Sequence, residues 1–477
     1  MPFQLFPIQL VGPFYEDESL QYSSQKTINL FPSIPIEGRT ERALHWWPGT
    51  KGFSIDPVTG LDSGGMTFMG GVGYRVVDQL LYSFDFGGTH TSLGTIPGPN
   101  RVDVQNDGTN LIISTGSKRY QYNTTDGLTE ITDADHEPGN TSTFINRQIV
   151  MDAAGGRFQV ADVGDPDSIN ALNFATAESA PDDTVAVAAF DELVHIFGVG
   201  ATEGSVETWE NTGVGNPPFD KVRGATKAFG LGAIHSIAQT DTHLYCLSSN
   251  RSIYRIVQID FQDITPVPMA DFLKNTRIDD AFAEMIKFGR QWFYILSFPT
   301  GDATWCIPTI DPNSAFQLET GVNHTRYLIS SYAEGFGKKL VADYRNSNIY
   351  EFDFDTFTNF NENEGIVRER ITSPINAAAL GLPGREVTMN FAEFLVETGV
   401  GTPDDTDPVV QLSASFDNGR SYTNETWVKL GMDGEVETIR LDIVRTFKDV
   451  QFKIRHSEKT RFSIHGGSIS AKLSGKR

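Results

Sequence analysis

The sequence predicts an all-β chain: a β-propeller of six or seven blades, led by an extended N-terminal arm and followed by an antiparallel β-sandwich. Three observations point there. At 477 residues the chain is too long for one ordinary domain of roughly 100 to 200 residues, unless it grows by adding units around an axis. Its 45 Gly and 23 Pro are spread along the whole length, as many turns between short strands require, while 39% hydrophobic residues, 33 of them Phe, suffice for a packed core. From Leu61 onward, short alternating runs recur with the same rhythm, and at roughly 40 to 50 residues per blade the span to Ile375 holds six or seven.

The first sixty residues differ. "QKTINLFPSIPIEGRTERALHWWPGTKGF" is extended, Pro-punctuated and aromatic; such a segment cannot build its own core and must lie across other modules or neighbouring chains. Residues 61–375 then read as blades. Phe86-Gly87-Gly88, Asp107-Gly108 and Asp126-Gly127 sit between alternating β-branched and aromatic residues, where Asp-Gly supplies the positive φ of a tight hairpin. The same grammar recurs in "FINRQIVMDAAGGRFQVADV", "TVAVAAFDELVHIFGVG" and "FAEMIKFGRQWFYILSF". The absence of a Gly-His and Trp-Asp signature argues against the WD40 type; a series of β-sandwiches is the second architecture. A Pro/Gly-rich boundary at Ser373 to Glu386 opens residues 376–477, whose runs "EVTMNFAEFLVET", "VVQLSASF", "VETIRLDIVR" and "DVQFKIRH" read as a small sandwich.

Charge restricts the function classes. Lys and Arg number 38 against 61 Asp and Glu, a net −23, which disfavours sequence-wide attraction to nucleic acid or anionic membrane. The balance is uneven: Thr438 to Arg477 holds ten Lys and Arg against three Asp and Glu, a local +7 that leaves −30 on the other 437 residues. Edge strands facing water explain such a segment; a docking surface centred on Lys453, Arg455 and Lys459, for an acidic neighbouring ring or passing DNA, is the sharper expectation. The N-terminus lacks a basic stretch and is broken by Pro2, Pro7 and Pro13, unlike a signal peptide, and no apolar window of about 18 residues predicts a membrane span. Cys246 and Cys306 lie in apolar runs and read as buried reduced thiols.

No catalytic, cofactor or metal motif emerges. Histidines are scattered without zinc-ligand spacing, and the glycine clusters of "GGVGYR" and "GVGATEG" open no helix that could hold phosphate. Asp182-Asp183, Asp279-Asp280 and Asp404-Asp405 read as solvated loop carboxylates. "SFDNGRSY" matches the Asp-box pattern: Ser415, Asp417, Gly419, Ser421 and Tyr422 form a hairpin in which Asp417 accepts backbone N–H bonds, Gly419 takes positive φ and Tyr422 packs behind. Sialidases carry such boxes, but their chemistry also needs an arginine cluster and a tyrosine nucleophile with an acidic partner.

The stretch "NRQIVMDAAGGRFQVADVGDPDSINALNFATAES", followed by "VETWENTG" and "PPFDKVRGA", resembles the packaged-DNA stabilisation proteins of short-tailed bacteriophages, also called tail hub or nozzle proteins. "INLFP" with "PGTKGF" and "SFDNGRSYTNETW" resemble the ends of that family. The resemblance implies a virion tail component without enzymatic activity: a homo-oligomer, six copies in the family, ringed below portal and adaptor proteins. It implies a DNA ejection channel that double-stranded DNA traverses without sequence-specific contacts, with distal tail parts such as fibres, spikes or a needle attached. Within "DPDSINALNFATAES" the expectation is a turn set by Asp165 and Pro166, with Leu172 and Phe174 anchored in the core. Two other readings stand beside this one, a carbohydrate-binding or sialidase-like propeller acting on host glycans, and a cytoplasmic propeller scaffold.

Overall fold

A computed structural model describes residues 2–12, 25–33, 43–98, 101–199, 204–321, 323–360, 363, 365–377, 380, 386–397, 407–431 and 436–474. The insert around Asp404 and Asp405 and half of the 373–386 boundary lie outside these residues.

The alternating runs pair as antiparallel sheets because each is too short to bury both faces alone. Seven four-stranded blades result, six as separate sheets and the sixth, Phe282–Phe288 to Phe316–Gln317, as one end of a ten-stranded sheet. Their innermost strands are Thr67–Met69, Asp103–Asn106, Ser142–Ile145, Asp183–Phe190, Ala238–Gln239, Phe282–Phe288 and Ile329–Gly335, and residues in or beside each of them wall one central cavity. The last inner strand neighbours the first, so the chain is a seven-bladed propeller.

Between the blades, two-residue periodicity decides the packing. In Leu111–Ser114, Leu111 and Ile113 pack toward the first blade while Ile112 packs toward the third. Ile149 and Met151 likewise face one neighbour and Val150 the other; Tyr294 and Leu296 oppose Phe293 and Ile295. Both faces of these second strands are buried, which is why their runs read as continuously apolar. The expected hairpins form: Gly108 and Gly127 take φ of 89° and 75°, and the Asp107 carboxylate accepts N–H bonds from Thr109 and Asn110 at 2.8 and 2.6 Å. Val267–Asn275, between the fifth and sixth blades, is an α-helix that buries Met269 and Leu273.

The first sixty residues are divided between two bodies. Gly49–Ser54 is the outermost strand of the seventh blade, paired with Ile349–Asp353, so the ring is closed by a strand lying before the first blade in sequence. Trp47, fully buried, sits beside it against Phe288, Phe293 and Phe316 at ring distances of 5.1, 5.4 and 5.8 Å. The earlier strands enter the sandwich. Gln4–Ile8 and Leu44–Trp46 pair with Ile464–Leu473, and Val387–Glu397 joins Val436–Phe447 in the same sheet.

Lys26–Ile28 does something else. It runs parallel to Phe316–Gln317 of the sixth blade and antiparallel to Arg368–Ile371, which pairs with Asp449–His456. One ten-stranded sheet therefore runs from the propeller axis into the sandwich. Asn29 seals the join at a positive φ of 54°, a conformation that Asn tolerates. Its Nδ2 donates to the carbonyls of Glu319 at 3.0 Å and Val367 at 2.8 Å, and its Oδ1 accepts the Glu319 N–H at 3.1 Å. The buried Arg370 guanidinium holds the same segment, donating to Leu10 O at 2.6 Å, Thr27 Oγ1 at 2.8 Å and Gln25 Oε1 at 2.7 Å.

Replacing Asn29 by Ala orphans two carbonyls and an N–H inside the protein, each costing about 1–3 kcal/mol. Denaturant unfolding of Asn29→Ala is expected to show a loss of about 3–5 kcal/mol; a loss below about 1 kcal/mol would deny the join this role.

Candidate functional site: the propeller axis and the sandwich face

The axis holds a cavity of about 400 Å³ walled by the inner strands. Arg101 reaches across it to Glu284 at 3.3 Å, donates to Ser330 O at 2.9 Å and lies 3.9 Å over the Phe282 ring. Burial pushes the Glu284 carboxyl up to about 8 despite the guanidinium beside it. Burial likewise raises Asp103 to about 6, against the lowering effect of its bonds from Gln105 and the Ser142 N–H. His235 falls to about 3, through burial and the Arg101 charge. One arginine, already engaged, lines this cavity. Tyr332 also lines it and donates to Glu334 Oε1 at 2.6 Å, but burial and the Glu334 charge raise its pKa, the reverse of what activates a nucleophile. Among the described residues no three His, Cys, Asp or Glu converge as metal ligands would.

The Asp-box residues come together as a hairpin. The Asp417 carboxylate accepts the Ser421 N–H at 2.9 Å, the Ser421 hydroxyl at 2.5 Å and the Ser415 hydroxyl at 2.8 Å. The Ser421 bonds are the main cause that holds it down at about 2. Gly419 has φ of 81° with Gln451 close behind. Asp417 is thus turned into its own loop. Tyr422, raised to about 12 by burial and nearby Glu369 and Asp417, lies 5.9 Å under Lys453.

Lys453 and Arg455 share the outward face of Asp449–His456, whose alternate residues Phe452, Ile454 and His456 are buried. On that face Lys453 pairs with Glu369 of the adjoining strand at 3.3 Å, and the charges of Glu369 and Arg455 act on His324, whose pKa is raised chiefly by its hydrogen bond to Glu319. Lys459 lies beyond the strand, half-buried. Lys453 and Arg455 therefore lie beside the Arg368–Ile371 strand, and Lys459 is apart from them in sequence and strand.

Two other expectations change. Leu172 and Phe174 are not core anchors: they are 65% and 36% exposed, while Ile169 at 4% and Ala177 at 7% are buried apolar side chains there. Asn170 turns the chain, its carbonyl accepting the Asn173 N–H at 2.8 Å, so Leu172 rides outside the turn. Nor is every loop carboxylate solvated, because Asp182 accepts the Ser205 N–H at 2.6 Å and Asp280 the Thr300 N–H at 2.8 Å. Cys246 and Cys306 are buried free thiols, with burial raising both pKa values.

The three segments that carried the resemblance meet at one carboxylate. Glu207 of "VETWENTG" is fully buried; it accepts the Trp209 indole N–H at 3.0 Å, the Ser179 N–H at 2.8 Å and the Lys221 ammonium at 2.8 Å. Ser179 ends "DPDSINALNFATAES" and Lys221 belongs to "PPFDKV", so the motif spacing reflects a structural node rather than catalysis.

A family model described as phage stabilisation, bacteriophage P22 Gp10, beta-propeller, matches residues 4–357. The chain belongs to this family. It is a structural protein of the phage tail, and the matched span covers the propeller with its threaded N-terminal strands. A comparison with curated proteins finds no match. Solved structures similar to this phage-stabilisation protein include the Neurospora crassa Pan2 WD40 domain, at 9% identity and TM-score 0.42, over 67% of this chain and 98% of that one. BamB from Moraxella catarrhalis follows at 8% identity and TM-score 0.39, over 70% and 99%. The extracellular domain of BT4673 from B. thetaiotaomicron follows at 8% and 0.43, over 81% and 48%.

Two measurements check this account. In Glu284 and Asp103 the folded pKa lies above the unfolded one, so the folded state binds more protons between pH 4 and 8 and stability falls as pH rises through that window. The thermal midpoint is expected to fall from about pH 5 to about pH 8 and the Glu284→Gln variant to flatten its upper part; an unchanged slope would refute the assignment. Glu207→Ala, which leaves the Trp209 and Ser179 N–H groups without their acceptor, is expected to cost about 2–4 kcal/mol in urea unfolding, with Glu207→Gln losing less.

Proposed function

We propose that this protein assembles as a ring, of six copies as in the family it resembles, below the portal and adaptor of a short phage tail. There it closes the DNA-filled head, extends the ejection channel and carries the distal tail parts. The observation that carries this reading is family membership over residues 4–357.

The geometry adds a constraint. The propeller axis is narrow and crossed by Arg101 and Glu284, so the duplex passes between copies and not through any one propeller. A wall with a net negative body suits transit, since many lysines on the phosphates would release counterions and grip the polymer. In this reading Lys453, Arg455 and Lys459 sit near a ring-to-ring contact, and the protein acts without catalysis or cofactor. A glycan-binding role rests on the Asp-box alone, and that carboxylate is consumed by its own hairpin.

Negative-stain microscopy of the protein mixed with its portal is expected to reveal a ring with an axial hole. A monomer that ignores the portal yet binds or cleaves sugars on a glycan array would overturn the reading.

A further inference from the structure

The sandwich is open on one side. Thr426–Lys429 ends the ten-stranded sheet and Val436–Phe447 ends the facing sheet, and the two edge strands lie next to each other. Trp427 and Val444 project from them at 62% and 77% exposure. Lys429, Arg440, Arg445 and Lys448 lie on or beside these strands and are all exposed; Lys429 pairs with Asp407 at 3.4 Å and Arg440 with Asp442 at 2.6 Å, while Arg445 lies 4.5 Å over the Phe416 ring. A wide apolar side chain on an unpaired basic edge suits a partner more than water.

The complementary surface lies on the same chain. On the third blade, the stretch from Asp162 to Leu172 bulges between strands Arg157–Val160 and Phe174–Thr176. It is joined to the preceding loop by the Thr132 N–H bond to Asp167 Oδ1 at 3.3 Å and the Ile169 N–H bond to Asp133 Oδ2 at 3.4 Å. The resulting knob exposes Asp135, Asp162, Asp165 and Asp167 around Val163 and Leu172, at 64% and 65% exposure. Its charge and apolar tips mirror those of the open edge.

Position completes the argument. The sandwich is fused to the sixth blade through the ten-stranded sheet; the knob is on the third, three blades away one way round the ring and four the other. Two unlike surfaces on opposite flanks of one molecule generate a head-to-tail series, which closes into a ring when the rotation per copy permits.

We propose that the acidic knob of the third blade in one copy docks on the basic open edge of the sandwich in the next copy, and that this contact builds the ring. The inference rests on the ring reading above and names its contact surfaces. The occupant is a second copy because the matching charge and apolar tips are on this chain.

The test uses full-length protein and charge reversal at exposed positions. Lys429→Glu with Lys448→Glu, or Asp135→Lys with Asp165→Lys, is expected to weaken assembly at least ten-fold by sedimentation velocity, with the monomer's thermal midpoint unchanged. Combining all four in one chain is expected to restore it, and raising salt to weaken the wild type. Rings that form equally well in every variant would overturn this contact and leave the ring reading intact. Rings lost in both pairs and not restored in the combination would also overturn it. A wild type that stays monomeric with its portal at every concentration would overturn the ring reading itself. Trp427→Ser supplies an uncharged check: unchanged assembly would remove the edge from the contact.

Discussion

A strand of three residues, Lys26–Ile28, is the constraint on which the architecture depends. Without it the sixth blade ends at Phe316–Gln317 and the sandwich begins at Arg368–Ile371, with no ladder between them. Parallel on one side and antiparallel on the other, it makes the two bodies share a sheet. The backbone then needs an exit from the ladder, and Asn29 supplies it by taking a left-handed turn while its side chain bonds both flanking segments. Two domains in one chain usually keep independent motion unless their interface is large and apolar. Here continuous hydrogen bonding replaces that area, which suits a part under load.

Interior charge follows the same logic. Arg75 bonds Asp62 at 3.1 Å and the Ser347 carbonyl at 2.8 Å, tying the first blade to the seventh. Arg119 joins the Asp152 carboxylate at 2.7 Å to the Glu137 carbonyl at 2.7 Å, tying the second to the third. A guanidinium satisfies several acceptors at once in a fixed fork, and each of these bridges segments that apolar packing alone would leave free to slide. Arg75 and Arg119 are thus staples between neighbouring blades.

Much of this was legible locally. Asp-Gly turns located hairpins because the cause, a positive φ, lies within two residues, and a repeated rhythm narrowed the blades to six or seven. The Asp-box could be read to the level of individual hydrogen bonds. Non-local pairing was not legible: nothing in "PGTKGFS" says that its partner is Ile349–Asp353 rather than its own neighbour. The helix at Val267–Asn275 carried a signal, prolines at its start and apolar Met269, Phe272 and Leu273 at helical spacing, hidden by the surrounding strand pattern. Leu172 misled because an isolated leucine is equally compatible with a core and a contact surface. The propeller axis left no trace in the sequence, since Arg101 and Glu284 are 183 positions apart.

Closure by the strand Gly49–Ser54 sets a timetable for biosynthesis. The first strands leave the ribosome early, yet their partners lie at Ile349–Asp353 and Ile464–Leu473. At about 5 to 20 residues per second, that wait is on the order of half a minute. Throughout it the leading segment must remain unpaired beside six blades already stacking, a situation in which sticky strand edges invite errors between nascent chains. Its prolines, poor in ladder donors, keep it from pairing early. The last blade is therefore also a checkpoint: a truncated chain keeps a leading strand with no partner to receive it.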